Sequence, residues 1–230
     1  MAIIYHHSQW GASRPILGVL FDMDGLVLDS EILYTRFWRE AAHAYGYPMT
    51  EAQSLGMRSL GRPQGQPYLE SLFGPGVDYT LLRGKRIELM DAYIAQHGIA
   101  PKPGIYELLD FLEAQGIPAA ITSSSPMAVI EKHLSRLDLL HRFTRLCSGH
   151  EVPNGKPAPD IYLHGAAQLG LRPENCLALE DSPTGILSAY RAGCLPVMIP
   201  DLDQPSRQTQ QLLYAQADSL ADIISLIKNA

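Results

Sequence analysis

Ile16-Leu-Gly-Val-Leu-Phe21 runs without a polar residue straight into Asp22-Met23-Asp24-Gly25, and this junction decides the architecture. An apolar run without alternation suits a strand buried on both faces of a parallel sheet. Similar runs recur at 117–122, 176–179 and 195–199, with a weaker one at 143–147. The first two of these also end in polar residues, Ser123-Ser124-Ser125 and Glu180-Asp181. Between them lie stretches of helical period at 103–115, 127–140, 161–169 and 184–192. Gly116, Gly170 and Gly193 come just after three of these stretches, where a helix C-terminus is expected. Strand and helix in alternation imply right-handed crossovers, so the fold class is α/β with a doubly wound parallel sheet.

Residues 30–101 break the rhythm. Ile32, Leu33, Phe37, Trp38 and Ala41 are spaced for a helix, and Gly61, Gly74, Gly76 and Gly98 punctuate the rest of the stretch. The reading is a small helical cap at 30–101, inserted after the first strand of an α/β core formed by 1–29 and 102–230. The opening segment, residues 1–14, carries Tyr5, His6, His7 and Trp10 without periodicity and reads as an added N-terminal arm.

Composition narrows the partners. A formal charge of −6 and a pI near 5.7 give no broad basic surface for nucleic acid. No apolar run is long enough to span a membrane, and no basic segment leading into an apolar one opens the chain. Cys147, Cys176 and Cys194 form no C-x-x-C clip and cannot all pair within one chain. They are expected to be reduced core thiols in a cytoplasmic protein. A monomer or weak oligomer is expected.

In an open parallel sheet, ligands bind beyond the carboxyl ends of the strands. Those ends carry Asp22 and Asp24, Ser123, and Glu180 with Asp181, while Lys156 comes after the weaker strand. Clustered carboxylates repel one another unless a cation lies among them. An all-oxygen set favours a hard ion such as Mg²⁺, which keeps water and substrate phosphate in its shell. Lys156, Ser123 and Ser124 supply the positive charge and hydroxyls for a phosphoryl group, a strand-end Asp can attack it, and Asp24 can move a proton. Each piece also has an ordinary structural role. Asp22 and Asp24 could open a turn at Gly25, Ser123 or Ser124 could cap a helix, Lys156 could be solvated, and Glu180-Asp181 could sit at a helix start.

The order of these pieces resembles the haloacid dehalogenase superfamily of phosphotransferases. Asp22-Met23-Asp24-Gly25-Leu26-Val27-Leu28-Asp29-Ser30 is similar to its first motif, Ile121-Thr122-Ser123 to its second, Lys156-Pro157-Ala158-Pro159-Asp160-Ile161-Tyr162 to its third, and Leu179-Glu180-Asp181-Ser182-Pro183-Thr184-Gly185 to its fourth. The resemblance implies a Rossmann-type core whose insert matches the cap of the β-phosphoglucomutase-like group. It also implies Asp22 as nucleophile, Asp24 as acid and base, and Ser123, Ser124 and Lys156 on the phosphate. Mg²⁺ would be held by Asp22, the Asp24 backbone carbonyl and Asp181, with Glu180 as ligand or neighbour.

Three activities are weighed on that basis. The first is a phosphatase acting on a small phosphate ester, with sugar phosphates the expected class; the second is a sugar-phosphate mutase; the third is a non-catalytic phosphate-binding protein. Leu60 and Tyr34 stand where mutases of the group carry a basic residue and a histidine, which favours the phosphatase. Retention of every motif residue disfavours the third. Tyr34, Trp38, Arg58, Gly61 and Arg62 are the cap residues expected to select the leaving group, although Trp38 at helical spacing from Tyr34 equally suits cap packing.

Overall fold

A computed structural model describes residues 3–4, 15–58, 60–202 and 204–229. The chain divides into two compact units, Met1–Leu28 with Pro101–Ala230, and Asp29–Ala100. The expectation for an arm bearing Tyr5, His6, His7 and Trp10 lies outside the described residues.

The first unit is built on a seven-stranded sheet. Its strands are β1 (Ile3–Ile4), β2 (Gly18–Phe21), β3 (Ala119–Ser123), β4 (Arg145–Ser148), β5 (Cys176–Glu180), β6 (Leu195–Met198) and β7 (Ala215–Gln216). They lie in the order β1-β7-β6-β5-β2-β3-β4. All neighbours are parallel except β1 against β7. The apolar runs fall on strands as read from sequence, including the weak one. The two-residue strands β1 and β7, at one end of the sheet, are additions that carry no periodic signal.

β2, β3, β5 and β6 are buried along their whole length. That is the burial expected of parallel strands covered by helices on both faces. Each fully buried aliphatic side chain contributes about 1.5–3 kcal/mol of transfer free energy. One core cluster gathers Leu20, Ala120, Cys147 and Ala178 from the strands, Tyr162 from a helix and Cys194 from just before β6. Chain direction reverses at β2: the crossovers run outward through β3 to β4, then return to β5 on its other side. A crevice forms beyond the strand ends at such a reversal.

The second unit is helical throughout, with α1 (Glu31–Ala44), α2 (Glu51–Leu55), α3 (Arg62–Phe73) and α4 (Tyr79–His97). Thr50 and Gln53 form a reciprocal capping box at the start of α2, and Asp78 accepts from Thr80 N–H and Leu81 N–H at the start of α4. Its core is Trp38, Ala42, Met49, Met57, Leu69, Val77, Tyr79 and Leu82.

The remaining helices return to the α/β unit: α5 (Ile105–Ala114), α6 (Met127–Arg136), α7 (Asp160–Gln168), α8 (Pro183–Ala192), α9 (Arg207–Gln210) and α10 (Asp222–Lys228). The two chain segments that border the insertion pair with each other inside this unit. Leu28 and Pro101 form an antiparallel bridge, and Lys102 N–H donates to the Val27 carbonyl at 2.9 Å. Among the described residues, no helix is long and apolar enough to cross a membrane.

Candidate active site

Register brings the acidic strand ends together. Phe21 is level with Leu179 on β5 and with Ile121 on β3, so the next residue, Asp22, stands beside Glu180 on one side and Thr122 on the other. The Asp22 amide donates to the Leu179 carbonyl at 3.0 Å, which continues the ladder one step into the loop. Beyond it the chain turns tightly. Val27 and Leu28 N–H both donate to the Met23 carbonyl at 2.9 Å, and Gly25 takes a φ of 80° that favours glycine. Met23, Leu26, Val27 and Leu28 are buried, which anchors the loop that carries Asp24.

Lys156 reaches this rim from the segment between β4 and α7. That segment is held by Asn154, which donates to the Asp160 carboxylate, by Ser188 Oγ on the Ala158 carbonyl, and by Arg191 on the Pro157 carbonyl. The Lys156–Pro157 peptide is cis. The ammonium lies 2.5 Å from Asp22 Oδ1 and 2.6 Å from Glu180 Oε1. The first and third segments singled out in the sequence therefore meet at one cation, and the fourth joins them.

Two carboxylates around one ammonium leave a negative charge unbalanced. Burial pushes the Asp22 carboxyl up to about 8; Lys156 opposes that push, and Glu180 and Asp24 add to it. Burial alone would lower Lys156, but Asp22 and Glu180 outweigh it and hold the ammonium above its ordinary value. Asp22, Glu180 and Asp181 each offer a carboxylate oxygen, all within 4.8 Å of one another. Oxygens in one Mg²⁺ shell lie roughly 3–4 Å apart, given bonds of about 2.1 Å. Small side-chain adjustments would therefore seat a divalent ion, whose charge answers the acidic excess. The residues fit a hard divalent cation.

Within that set the three carboxylates are not equivalent. Glu180 Oε1 already accepts Lys156 and, at 2.5 Å, the Tyr162 hydroxyl, while Oε2 accepts Ser182 Oγ at 3.2 Å. Asp22 and partly exposed Asp181 are better placed to face a cation directly. The Asp24 carboxylate is not part of the three-membered cluster; its Oδ2 accepts from Ser125 Oγ at 3.2 Å. Ser123 is buried at the end of β3, where its Oγ accepts from Ser125 N–H at 3.1 Å, and Ser124 is exposed.

Sequence reasoning passed over Ser125, Tyr162 and Ser182 as site residues. Ser125 was hidden in a run of three serines, and Ser182 presents as the N-cap of α8, a role it also fills by accepting from Gly185 N–H. Tyr162 closes the Lys156 segment but reads as an apolar helix residue. Nothing in its spacing announces a hydroxyl that points back to the strand ends.

The helical unit places its singled-out residues differently. Trp38 is spent on that unit's own core, with its ring 5.5 Å from the Tyr79 ring. Tyr34 is half-buried and carries the Arg86 guanidinium 4.6 Å from its ring centroid. Arg58 donates to the Leu55 carbonyl at 3.2 Å, and Arg62 is exposed at the start of α3. Gly61 has an ordinary φ of −70°, and a side chain there would meet its first neighbour at 3.6 Å, so the fold itself does not demand glycine.

Similar chains include proteins named as phosphatases and, among solved structures, a putative β-phosphoglucomutase from Thermotoga maritima, which superposes with a TM-score of 0.74 at 28% identity, covering 93% of this chain and 99% of that one. A phosphorylated carbohydrates phosphatase of Thermotoga maritima is 34% identical over 177 residues, covering 76% of this chain and 81% of its own. Hexitol phosphatase B of Escherichia coli O157:H7 is 30% identical over 226 residues, covering 91% and 95%. Among solved structures, CbbY from Rhodobacter sphaeroides in complex with phosphate superposes with a TM-score of 0.73 at 25% identity, covering 90% of this chain and 96% of that one. The family model for haloacid dehalogenase-like hydrolases matches residues 16–193, which takes in Asp22, Ser123, Lys156 and Glu180. The chain belongs to the haloacid dehalogenase-like hydrolases.

Proposed function

We propose that the protein is a cytoplasmic, Mg²⁺-dependent phosphatase that hydrolyses small sugar-phosphate monoesters through a phosphoryl group carried on Asp22. The observation that supports this most directly is the Lys156 ammonium held between Asp22 and Glu180, beside Asp181. The named activities of the two phosphatase relatives point to phosphorylated carbohydrates and hexitols as the substrate class.

Asp22, Asp181 and the Asp24 backbone carbonyl would hold the ion. When bound, Mg²⁺ neutralises phosphoryl charge and orients the group for in-line attack. An Asp22 oxygen forms the new bond to phosphorus as the bond to the ester oxygen breaks, and Asp24 gives its proton to the departing alcohol. Asp24 then takes a proton from water as that water attacks phosphorus, releasing phosphate and restoring Asp22. Lys156 and Ser123 stabilise the phosphoryl oxygens through both steps, with Ser124 as a further hydroxyl on the same loop. Selection of the alcohol falls to the helical unit, through Tyr34, Arg58, Gly61 and Arg62.

Phosphate release from a panel of metabolite esters, with Mg²⁺ and with chelator, tests the reading. Hexose and hexitol phosphates are expected to be hydrolysed only with metal. Asp22→Asn should remove turnover while leaving the circular-dichroism spectrum intact, because an amide is no longer a competent nucleophile. Wild-type turnover in that variant sinks the mechanism. Conversion of β-glucose 1-phosphate to glucose 6-phosphate without phosphate release would instead mark a mutase.

A further inference from the structure

We propose that the Tyr162 hydroxyl is a positioning group for Lys156: by donating to Glu180 Oε1 it fixes the carboxylate against which the ammonium is held. The inference rests on the phosphatase reading and assigns a role to a residue outside the acidic and basic motif positions.

Tyr162 lies on α7 and is fully buried in the core of the α/β unit. A phenylalanine would fill the same space. A buried phenol without a partner carries a desolvation cost, so the hydroxyl is tolerated only because it has a directed bond. That bond goes to Glu180 Oε1 at 2.5 Å, the same oxygen that accepts Lys156 at 2.6 Å. The Lys156 ammonium also lies 5.1 Å above the Tyr162 ring. One tyrosine thus touches the cation through its face and the cation's anchor through its hydroxyl.

Glu180 is held from both ends. Oε1 accepts two donors, Oε2 accepts Ser182 Oγ, and the absent side chain of Gly185 leaves the room the carboxylate occupies, since a Cβ there would overlap it. Lysine itself is a flexible stem ending in a point charge, so its location is set by its pairing partners. Removing the Tyr162 donor leaves Oε1 with Lys156 alone and loosens the carboxylate at the end that faces the ammonium. The ammonium then loses its fixed distance from Asp22, where the phosphoryl oxygens are to bind.

The consequence is specific. A defect in Lys156 placement weakens every phosphate ester alike, because it acts on the phosphoryl end and leaves Asp24 and the helical unit untouched. Tyr162→Phe in the full-length protein with Mg²⁺ is expected to weaken calorimetrically measured orthophosphate binding about tenfold, the usual scale for an outer-sphere partner. It should lower kcat/KM by a similar factor for good and poor leaving groups, chiefly through KM. A merely structural role would lower the thermal midpoint without moving the orthophosphate constant. Folded Tyr162→Phe with unchanged phosphate binding overturns the proposal.

A measurement on the wild type stands independently of the variant's folding. The Tyr162 hydroxyl proton should exchange slowly with water and show nuclear Overhauser contacts to its own ring protons; rapid exchange overturns the assignment. Wild-type protein inert toward every ester would sink the phosphatase reading and leave this test standing. An active wild type with an indifferent Tyr162→Phe sinks the positioning role alone.

Discussion

Ser125 shows how a polar side chain prepares a neighbour. Its hydroxyl donates to Asp24 Oδ2 at 3.2 Å, and its carbonyl is fixed by Ser148 Oγ at 2.7 Å. The hydrogen bond fixes the direction in which the Asp24 carboxyl points. Ser125→Ala is therefore expected to cost a few-fold in kcat, on the order of 1 kcal/mol for one partly exposed hydrogen bond. The loss should be larger for poor leaving groups, whose departure depends on the acid. Parallel rate measurements with an aryl phosphate and an alkyl phosphate check this, and equal losses on both would detach Ser125 from Asp24. Asp24→Asn should show the same selectivity far more strongly. The contrast with Tyr162→Phe, expected to be blind to the leaving group, separates the two ends of the ester.

Strand pairing places two thiols side by side. Leu177 on β5 is level with Leu195 on β6, so Cys176 and Cys194, each one residue earlier, lie abreast inside the core. Burial pushes Cys147 and Cys176 up to about 11, and raises Cys194 as well, with Cys176 adding to the effect. The unfolded thiols release protons first as pH rises. Cys147 and Cys176 thus each contribute stability that is full below about pH 9 and lost as pH rises through about 11. Titration with a disulfide reagent at about pH 8 should find the native thiols slow and all three fast in denaturant. Fast reaction of the native protein would contradict the core placement. The same elements show how much a sequence conveys. β2 and β5 were legible because a two-sided strand must be continuously apolar, and Asp22 and Glu180 because a charge at the end of such a run has few structural uses. The short strands β1 and β7 were not legible, since two residues carry no period. Tyr162 was not legible either, because helical spacing reports which face is buried and is silent on where a hydroxyl points. Trp38 illustrates the converse: its spacing from Tyr34 suited packing as well as substrate, and packing is where the structure puts it.

Across the whole chain, the acidic excess around Lys156 and the segments bordering the insertion are both features of the α/β unit. Lys102, next to the bridge between Leu28 and Pro101, donates to Asp201 Oδ1 at 2.7 Å across 99 residues of sequence, and both side chains are largely buried. Asp201→Ala leaves the Lys102 ammonium without that partner, and a loss of about 1.5–3 kcal/mol is expected in denaturant unfolding. No loss would show the ammonium finding water instead. The metal site adds a second handle on the same unit. A ligand that binds only the folded state stabilises it by RT ln(1 + [L]/Kd), about 2.7 kcal/mol at a hundredfold excess over Kd. For a unit of this size that raises the thermal midpoint by roughly 5–10 °C. Binding acts only on the unit that supplies the ligands, so in a two-unit chain the calorimetric transition of the α/β unit should move with Mg²⁺ and return with chelator. Asp181→Asn keeps the side-chain volume and removes a charged ligand, so it should abolish most of the shift without lowering the midpoint of the metal-free protein. That metal-free midpoint should even rise, because one of three crowded carboxylates is gone. A wild-type midpoint indifferent to Mg²⁺, with Asp181→Asn behaving identically, would show that the three acids gather for a reason other than a cation.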